Sequence, residues 1–346
     1  MISARSNLHV HPRGRHPVLA AGLAALAAAL WRPGPACCDE PASAPTSQPR
    51  PATVRLEWGL YQILWNPTRY EELLRREIAK FASTPDYVMF YRDLGRPYPR
   101  AAIEAIRRIG ATPIVSLELW QWHGPRGSYL ERVNSGAFDA YFRQWARDAK
   151  RDGRRVLLRF GFEFNGDWFT WGGDPQGFIR AWRRARRIFR DAGALNVEWV
   201  WSPNVVSVPD TPANRMHRYW PGSAWVDWIG LDGYNFGPDH DRWHRWESFA
   251  EIFGPALRAV ERRWPGKPVI IAEFGCAPGT PAERARWIRE AYAAIVRHRQ
   301  VRAAVWYNYD KRREGEPNWR IDADAASLRA FNETFARPAG GRRQGP

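Results

Sequence analysis

The stretch Arg159-Phe-Gly-Phe-Glu163-Phe-Asn-Gly-Asp-Trp168-Phe-Thr-Trp171-Gly-Gly173 begins as an apolar strand and breaks into a glycine-rich loop. It sets one carboxylate, Glu163, at the strand's end, with Trp168 and Trp171 close by in the chain. A carboxyl group among aromatic rings is costly to ionise, so its proton affinity rises, and a raised affinity suits a general acid. The residues that follow, 178–192, carry apolar side chains at helical spacing, so the stretch reads as the strand and loop of a strand-loop-helix unit.

Outward from this unit the same alternation repeats. Apolar runs at 55–61, 86–92, 112–117, 155–162, 197–202, 228–232, 268–272 and 303–307 predict eight strands. Amphipathic segments at 69–82, 99–109, 138–152, 178–192, 246–264 and 281–297 predict helices between them, and 325–336 closes the chain. The segment 211–220, between the fifth and sixth strands, is the weakest helical pattern. Strand alternating with helix implies parallel pairing, and eight repeats over ~280 residues suit an α/β fold of a single (β/α)8 TIM barrel. A doubly wound open sheet is the alternative, but no G-x-G-x-x-G or Walker sequence occurs to support it.

A barrel of this kind works at the C-terminal ends of its strands. The acidic residues there are Asp93, Glu118, Glu163, Asp232 and Glu273, whereas Glu198 falls near the start of the fifth strand and toward the opposite face. Glu163 and Glu273 each close a strongly apolar strand and precede a turn with glycine. For either one alone, a structural ion pair is the competing reading, with Arg159 a candidate partner on the same strand face as Glu163. Two carboxyls facing each other across a barrel mouth fit glycoside cleavage. A gap of roughly 5 Å lets one attack the anomeric carbon, and about 6.5–9.5 Å leaves room for a water.

Composition frames the rest. The chain has 346 residues, 45% of them hydrophobic, enough for a substantial core. Its formal charge of +16 is almost all arginine, since lysine occurs only at 80, 150, 267 and 311. Such a balance can attract nucleic acid, acidic polysaccharide or an anionic membrane. The densest run, 180–190, separates into an apolar face and an arginine face, as a solvated helix would, and no zinc-finger or RNA-stacking signature accompanies it. No nucleic-acid partner, cofactor or metal site is expected. The histidines lack a paired ligand spacing, with His240, Asp241 and His244 the nearest approach to one.

Residues 1–38 read as a signal peptide, basic first and then apolar over about fourteen residues, too short for a stable membrane span. Cys37 and Cys38 lie where a lipoprotein signal would place an acylation site, although the residues before them match poorly. Residues 39–53 read as a flexible linker, 54–337 as the catalytic domain and 338–346 as a disordered tail. The expected protein is exported, periplasmic or extracellular, and a monomer. Within the domain Cys276 stands alone, so no internal disulfide is available, and small-residue packing is its expected role.

Four segments resemble glycoside hydrolase family 26, whose best-known members are β-mannanases. They are 163–172 around the acid, 197–204, 227–235, and Ile271-Ala-Glu273-Phe-Gly275. The resemblance spans roughly 56–335 and implies Glu163 as acid/base, Glu273 as nucleophile, and Tyr234 as a hydrogen-bond donor to that nucleophile. It implies retaining hydrolysis of β-linked polysaccharide, most directly β-1,4-mannan. Trp168, Trp171, Trp201 and Trp306 would stack on sugar faces, and Asn165 and Asn204 would meet hydroxyls or brace their own turns. Trp120, Gln121, Trp122 and His123 form a further rim candidate. One departure stands out: the family usually has histidine immediately before the acid, and this chain has Phe162. Two other readings remain open, a hydrolase of acidic bacterial exopolysaccharide and a carbohydrate-binding barrel without turnover.

Overall fold

The structure, a computed structural model, describes residues 55–336 apart from 65, 126, 128, 239–243 and 278. The signal peptide, linker and tail assigned from sequence lie outside the described residues, as do His240 and Asp241 of the weak metal reading.

Eight parallel strands close into a barrel in sequence order: β1 (Glu57–Tyr61), β2 (Tyr87–Asp93), β3 (Thr112–Glu118), β4 (Val156–Phe160), β5 (Val197–Trp201), β6 (Trp228–Asn235), β7 (Val269–Cys276) and β8 (Val301–Trp306). β1 pairs with β8, so the sheet has no edge. The helices between them are α1 (Tyr70–Ile78), α2 (Arg100–Arg108), α3 (Tyr129–Asn134), α4 (Asp139–Asp152), α5 (Pro175–Asp191), α6 (Phe249–Arg263) and α7 (Pro281–Ile295), with α8 (Ala325–Glu333) last.

Strand alternation divides the core in two. Met89, Ile114, Leu157, Val200, Ile270, Ala303 and Val305 fill the barrel interior. Their neighbours in sequence, among them Val88, Val115, Leu158, Trp199, Trp201, Ile271 and Trp306, point outward and pack under the helices. Where Arg159 follows the parity of Leu157, a guanidinium enters the barrel interior and is wholly buried there.

Helix boundaries differ from the periodicity where capping chemistry takes over. α5 starts at Pro175, three residues before the predicted 178, because Asp174 accepts from Gly177 N and proline suits the first turn. α6 starts at Phe249, not 246, set by a capping box between Ser248 and Glu251. α7 begins at the predicted residue with a Thr280–Glu283 box. The segment 211–220 forms no α-helix. It holds a 3-10 turn at Met216–Tyr219, followed by another at Ser223–Trp225, as Pro209, Pro212 and Pro221 break any longer run.

Two strands run past their expected ends. β6 continues to Asn235 and β7 to Cys276, with a register irregularity at Leu231/Asp232 where Asp232 comes to lie opposite Glu273. Asp232 and Glu273 are therefore interior strand residues, not terminal ones. β4 does the reverse and stops at Phe160, two residues early, as Gly161 adopts φ +54.

Candidate active site

Glu163 sits beyond β4 in a left-handed backbone conformation, φ +50, the one such non-glycine among the described residues. That region is unfavourable for a residue with a Cβ and persists only where surrounding bonds hold it. Here the Glu163 N–H donates to Ser202 O at 2.7 Å and Gly166 N donates back to Glu163 O at 2.9 Å. Asn165 braces the same turn against its neighbour, with Nδ2 donating to Asn204 O (2.9 Å) and Val206 O (3.0 Å) and Oδ1 accepting from Asn204 N (2.9 Å). Its role is the turn, and its side chain is buried away from any ligand.

The Glu163 carboxyl accepts from Asn204 Nδ2 on Oε1 and from Trp168 Nε1 on Oε2, both at 2.7 Å. Trp168 reaches it by lying over Gly166, where a Cβ would stand 2.3 Å from the indole ring. Burial, then the charge of Glu273, push the Glu163 pKa up to about 7, while the two hydrogen bonds and Arg159 pull it back. Neutral donors on both oxygens and a near-neutral pKa give a group able to exchange a proton at ordinary pH.

Glu273 is set differently. Oε1 accepts from Tyr91 Oη and from Arg159 Nη1, each at 2.6 Å, and Oε2 accepts from Tyr234 Oη at 2.5 Å. Burial first and the Glu273 charge second hold both tyrosines well above their usual pKa, so they remain protonated donors. Arg159 also donates Nη2 to Asp232 Oδ2 (2.6 Å), Nη1 to Ser116 Oγ (2.8 Å) and Nε to Ser202 Oγ (3.3 Å). Burial opposes its charge, but Asp232 and Glu273 more than offset that and raise its pKa. A fixed cation and two phenols thus hold the Glu273 carboxylate in one orientation. The ion pair anticipated for Arg159 thus forms with Glu273 and Asp232, and leaves Glu163 without a direct cation.

Three of the expected sugar platforms are corrected by burial. Trp171, Trp201 and Trp306 each have 0% exposure, and their Nε1 groups donate to Phe162 O, Tyr219 O and Trp319 O. Trp201 and Trp306 occupy the outward parity of β5 and β8, so they face helices. Trp171 folds back under the loop and stacks on Phe169, centroids 4.3 Å apart. Trp168, half-buried beside Glu163, and Tyr234, half-buried beside Glu273, keep positions at the mouth.

Sequence reading overlooked two further groups. Tyr91 lies on the inward parity of β2 after Tyr87 and Met89, and that alternation was the available signal. Glu118 was counted only as a strand-end acid. Its Oε2 accepts the indole N–H of both Trp120 (3.0 Å) and Trp122, and burial drives its pKa to about 7 against those bonds. His123 is exposed. Phe162 is 3% exposed, with the Arg159 guanidinium 4.6 Å from its ring centre and Tyr91, Phe169 and Trp171 around it. Among the described residues no group of three His, Cys, Asp or Glu side chains is placed to hold a metal ion.

Residues 131–261 match the model of glycosyl hydrolase family 26, a span that contains Glu163 and Asp232 and ends before Glu273. Endoglucanase H of Acetivibrio thermocellus is 33% identical over 248 residues, 69% of this chain and 25% of that protein. Mannan endo-1,4-β-mannosidase A and B of Caldalkalibacillus mannanilyticus is 31% identical over 154 residues, 36% of this chain and 29% of that protein. The chain thus covers between a quarter and a third of the length of these relatives. In fold it resembles the catalytic domain of a Bacillus sp. JAMB-750 endo-β-1,4-mannanase, with TM-score 0.61, 15% identity, and coverage of 82% and 88% of the two chains. It likewise resembles a modular endo-β-1,4-mannanase of Cellulomonas fimi, with TM-score 0.59, 20% identity, and coverage of 82% and 71%. Sequence match and barrel agree, and the chain belongs to glycosyl hydrolase family 26.

Proposed function

We propose that the chain hydrolyses a neutral β-linked polysaccharide with retention of anomeric configuration. Glu273 attacks the anomeric carbon while Glu163 protonates the departing glycosidic oxygen. A water, deprotonated by Glu163, then releases the sugar from Glu273 and restores both groups. The observation that carries this reading is the opposite treatment of two buried carboxyls. Glu163 has only neutral donors and a pKa near 7. Glu273 has Arg159 and two tyrosine hydroxyls within 2.6 Å. A barrel that only bound sugar would have no use for that contrast, which argues against the reading without turnover.

A neutral chain fits better than an acidic one at this mouth. Asp93, Glu118, Glu163, Asp232 and Glu273 gather there; Arg159 is buried and already paired, and Arg96, 3.9 Å from Asp93, is the exposed cation beside them. A uronic acid would meet like charge. Mannan is what the family resemblance first suggests. Phe162 in place of histidine, together with the longer alignment to a protein named an endoglucanase, favours a β-glucan backbone over it. Export to the periplasm or beyond is part of the proposal and rests on residues 1–38.

The test is to incubate the purified protein with mixed-linkage β-glucan, β-1,4-mannan, xylan and an acidic exopolysaccharide. New reducing ends are measured, and the first-formed anomer is followed by NMR. The expected result is release from β-glucan with a β product. An α product rules out the covalent route, and binding without release from any polymer restores the non-catalytic reading.

A further inference from the structure

A second feature lies on the outer helical layer, away from the paired carboxyls. α5 carries Arg180, Arg183, Arg184 and Arg187, which with Asn134 of α3 line an open cleft of about 310 Å³. That volume is at the lower end of the ~300–1,000 Å³ common for small-ligand sites.

Arginine-rich composition explains why such side chains are present. It does not explain how their charges are left. On α1 and α2 some arginines are matched by acids, Arg75 by Glu71 and Arg108 by Glu104 and Glu71, while among the described residues Arg76 and Arg107 stand singly between them. In the cleft only Arg184 is neutralised, by a two-pronged pair with Asp139 at 2.7 and 2.9 Å. Arg183 donates Nε and Nη2 to the Pro221 carbonyl, which orders its fork without cancelling its charge. Among the described residues no carboxylate pairs with Arg180, Arg183 or Arg187. Three uncompensated guanidinium groups along two turns of one helix repel one another, and an anion between them relieves that.

Asn134 forms the other wall, its amide fixed where Nδ2 donates to Gly177 O at 3.0 Å. Guanidinium forks left without a carboxylate suit the carboxylate or sulfate groups of an anionic polymer.

We propose that the α3–α5 cleft is an exosite for acidic polysaccharide, uronate-bearing or sulfated, separate from the barrel mouth and not itself hydrolytic. Holding such a polymer would raise the local concentration of a neutral glycan embedded in the same matrix. The proposal stands apart from what the barrel cleaves.

The test measures binding of the full chain to polygalacturonate and to a sulfated polysaccharide at about 50 and about 300 mM NaCl, since contacts of this kind weaken with salt. The proteins compared are the wild type, Arg180→Gln/Arg187→Gln, and Arg258→Gln/Arg262→Gln, which removes the same charge from α6. Expected are salt-sensitive binding by wild type, about tenfold weaker binding by the α5 variant, little change in the α6 variant, and unaltered neutral-glycan hydrolysis in all three. No binding by the wild type at low salt overturns the proposal. So does equal loss in both variants, which would mark general charge attraction. Double-stranded DNA bound more tightly than either polysaccharide, with the same dependence on Arg180 and Arg187, overturns it in favour of nucleic acid. Neutral-glycan turnover serves as the folding check, and Arg187→Lys, which keeps the charge and loses the fork, should bind at an intermediate level.

Discussion

Tyr91 donates its hydroxyl to Glu273 Oε1 at 2.6 Å, on the same oxygen that takes Arg159 Nη1. β2 and β4 thus converge on a carboxylate of β7. In the proposed mechanism these bonds hold the nucleophile and must loosen as its charge passes to the glycosyl-enzyme. Loss of a hydrogen bond to a charged group costs roughly 1.5–3 kcal/mol. Tyr91→Phe is therefore expected to lower kcat/KM about 10- to 100-fold, with the melting temperature little changed. Tyr234→Phe should do the same on the other oxygen. A Tyr91→Phe enzyme at full activity would show that Arg159 suffices to place Glu273.

Arg159 carries a heavier load, since it bridges Glu273 and Asp232 with no solvent access. Removing one partner from a buried charge network leaves the others unpaired, at about 3–5 kcal/mol. Arg159→Met is expected to destabilise the fold by that order and to abolish turnover. Arg159→Lys keeps a cation but cannot serve both carboxylates with a fork. It should fold and stay slow, as circular dichroism melts and single-turnover rates would reveal.

Much of this was open to a reader of the sequence. Eight apolar runs separated by amphipathic ones gave the barrel, and acids at strand ends gave Glu163 and Glu273. The tryptophans show where residue type misleads. Trp201 and Trp306 look like sugar platforms by type, yet period-two alternation puts Val200 and Val305 inside the barrel and turns both indoles outward. Counting parity would have found this, and would have flagged Tyr91. The overrun of β6 and β7 was not legible, because it depends on a register irregularity that brings Asp232 opposite Glu273. Nor was the left-handed backbone at Glu163, which a bond to Ser202 O and one from Gly166 N impose on a residue with no such preference.

Trp201→Ala and Trp306→Ala are accordingly expected to act on stability, by about 3–5 kcal/mol for a large buried aromatic, and to leave KM unchanged in the folded fraction. Trp168→Phe should do the opposite, keeping stability and altering catalysis. Denaturant melts beside initial rates separate the two cases. A raised KM in folded Trp201→Ala would return that indole to the sugar site.

The pH profile offers a direct reading of Glu163. Its pKa is raised to about 7, so the acid form needed for the first step is present below that value and is lost as pH rises through it. The alkaline limb of kcat/KM should fall near pH 7. Asn204 and Trp168 favour the charged form, so Asn204→Ala or Trp168→Phe should move the limb to higher pH. Gly166→Ala should do so too, because a Cβ at 2.3 Å displaces the indole. Glu118 also titrates near 7, and Glu118→Gln separates the two. If the limb disappears in Glu118→Gln, it belonged to Glu118, and the acid assignment of Glu163 loses its main support.

Phe162 sets the remaining question, which sugar the mouth accepts. Its ring is packed beneath the Arg159 guanidinium and against Tyr91, so it touches two of the three groups that hold Glu273 while offering the substrate no hydrogen bond. A histidine there would present a donor beside Arg159 and Tyr91, where the family resemblance associates it with mannan. Phe162→His is thus expected to shift the ratio of kcat/KM on β-1,4-mannan to that on β-glucan toward mannan by about tenfold, the worth of one hydrogen bond. Burying an imidazole in an aromatic pocket also carries a stability cost of about 1–3 kcal/mol, so the ratio, and not either rate alone, is the quantity to measure. Phe162→Leu loses the ring without gaining a donor and should slow both substrates alike. Should Phe162→Leu move the ratio as far as Phe162→His does, the shape of the pocket and not a hydrogen-bond donor selects the sugar.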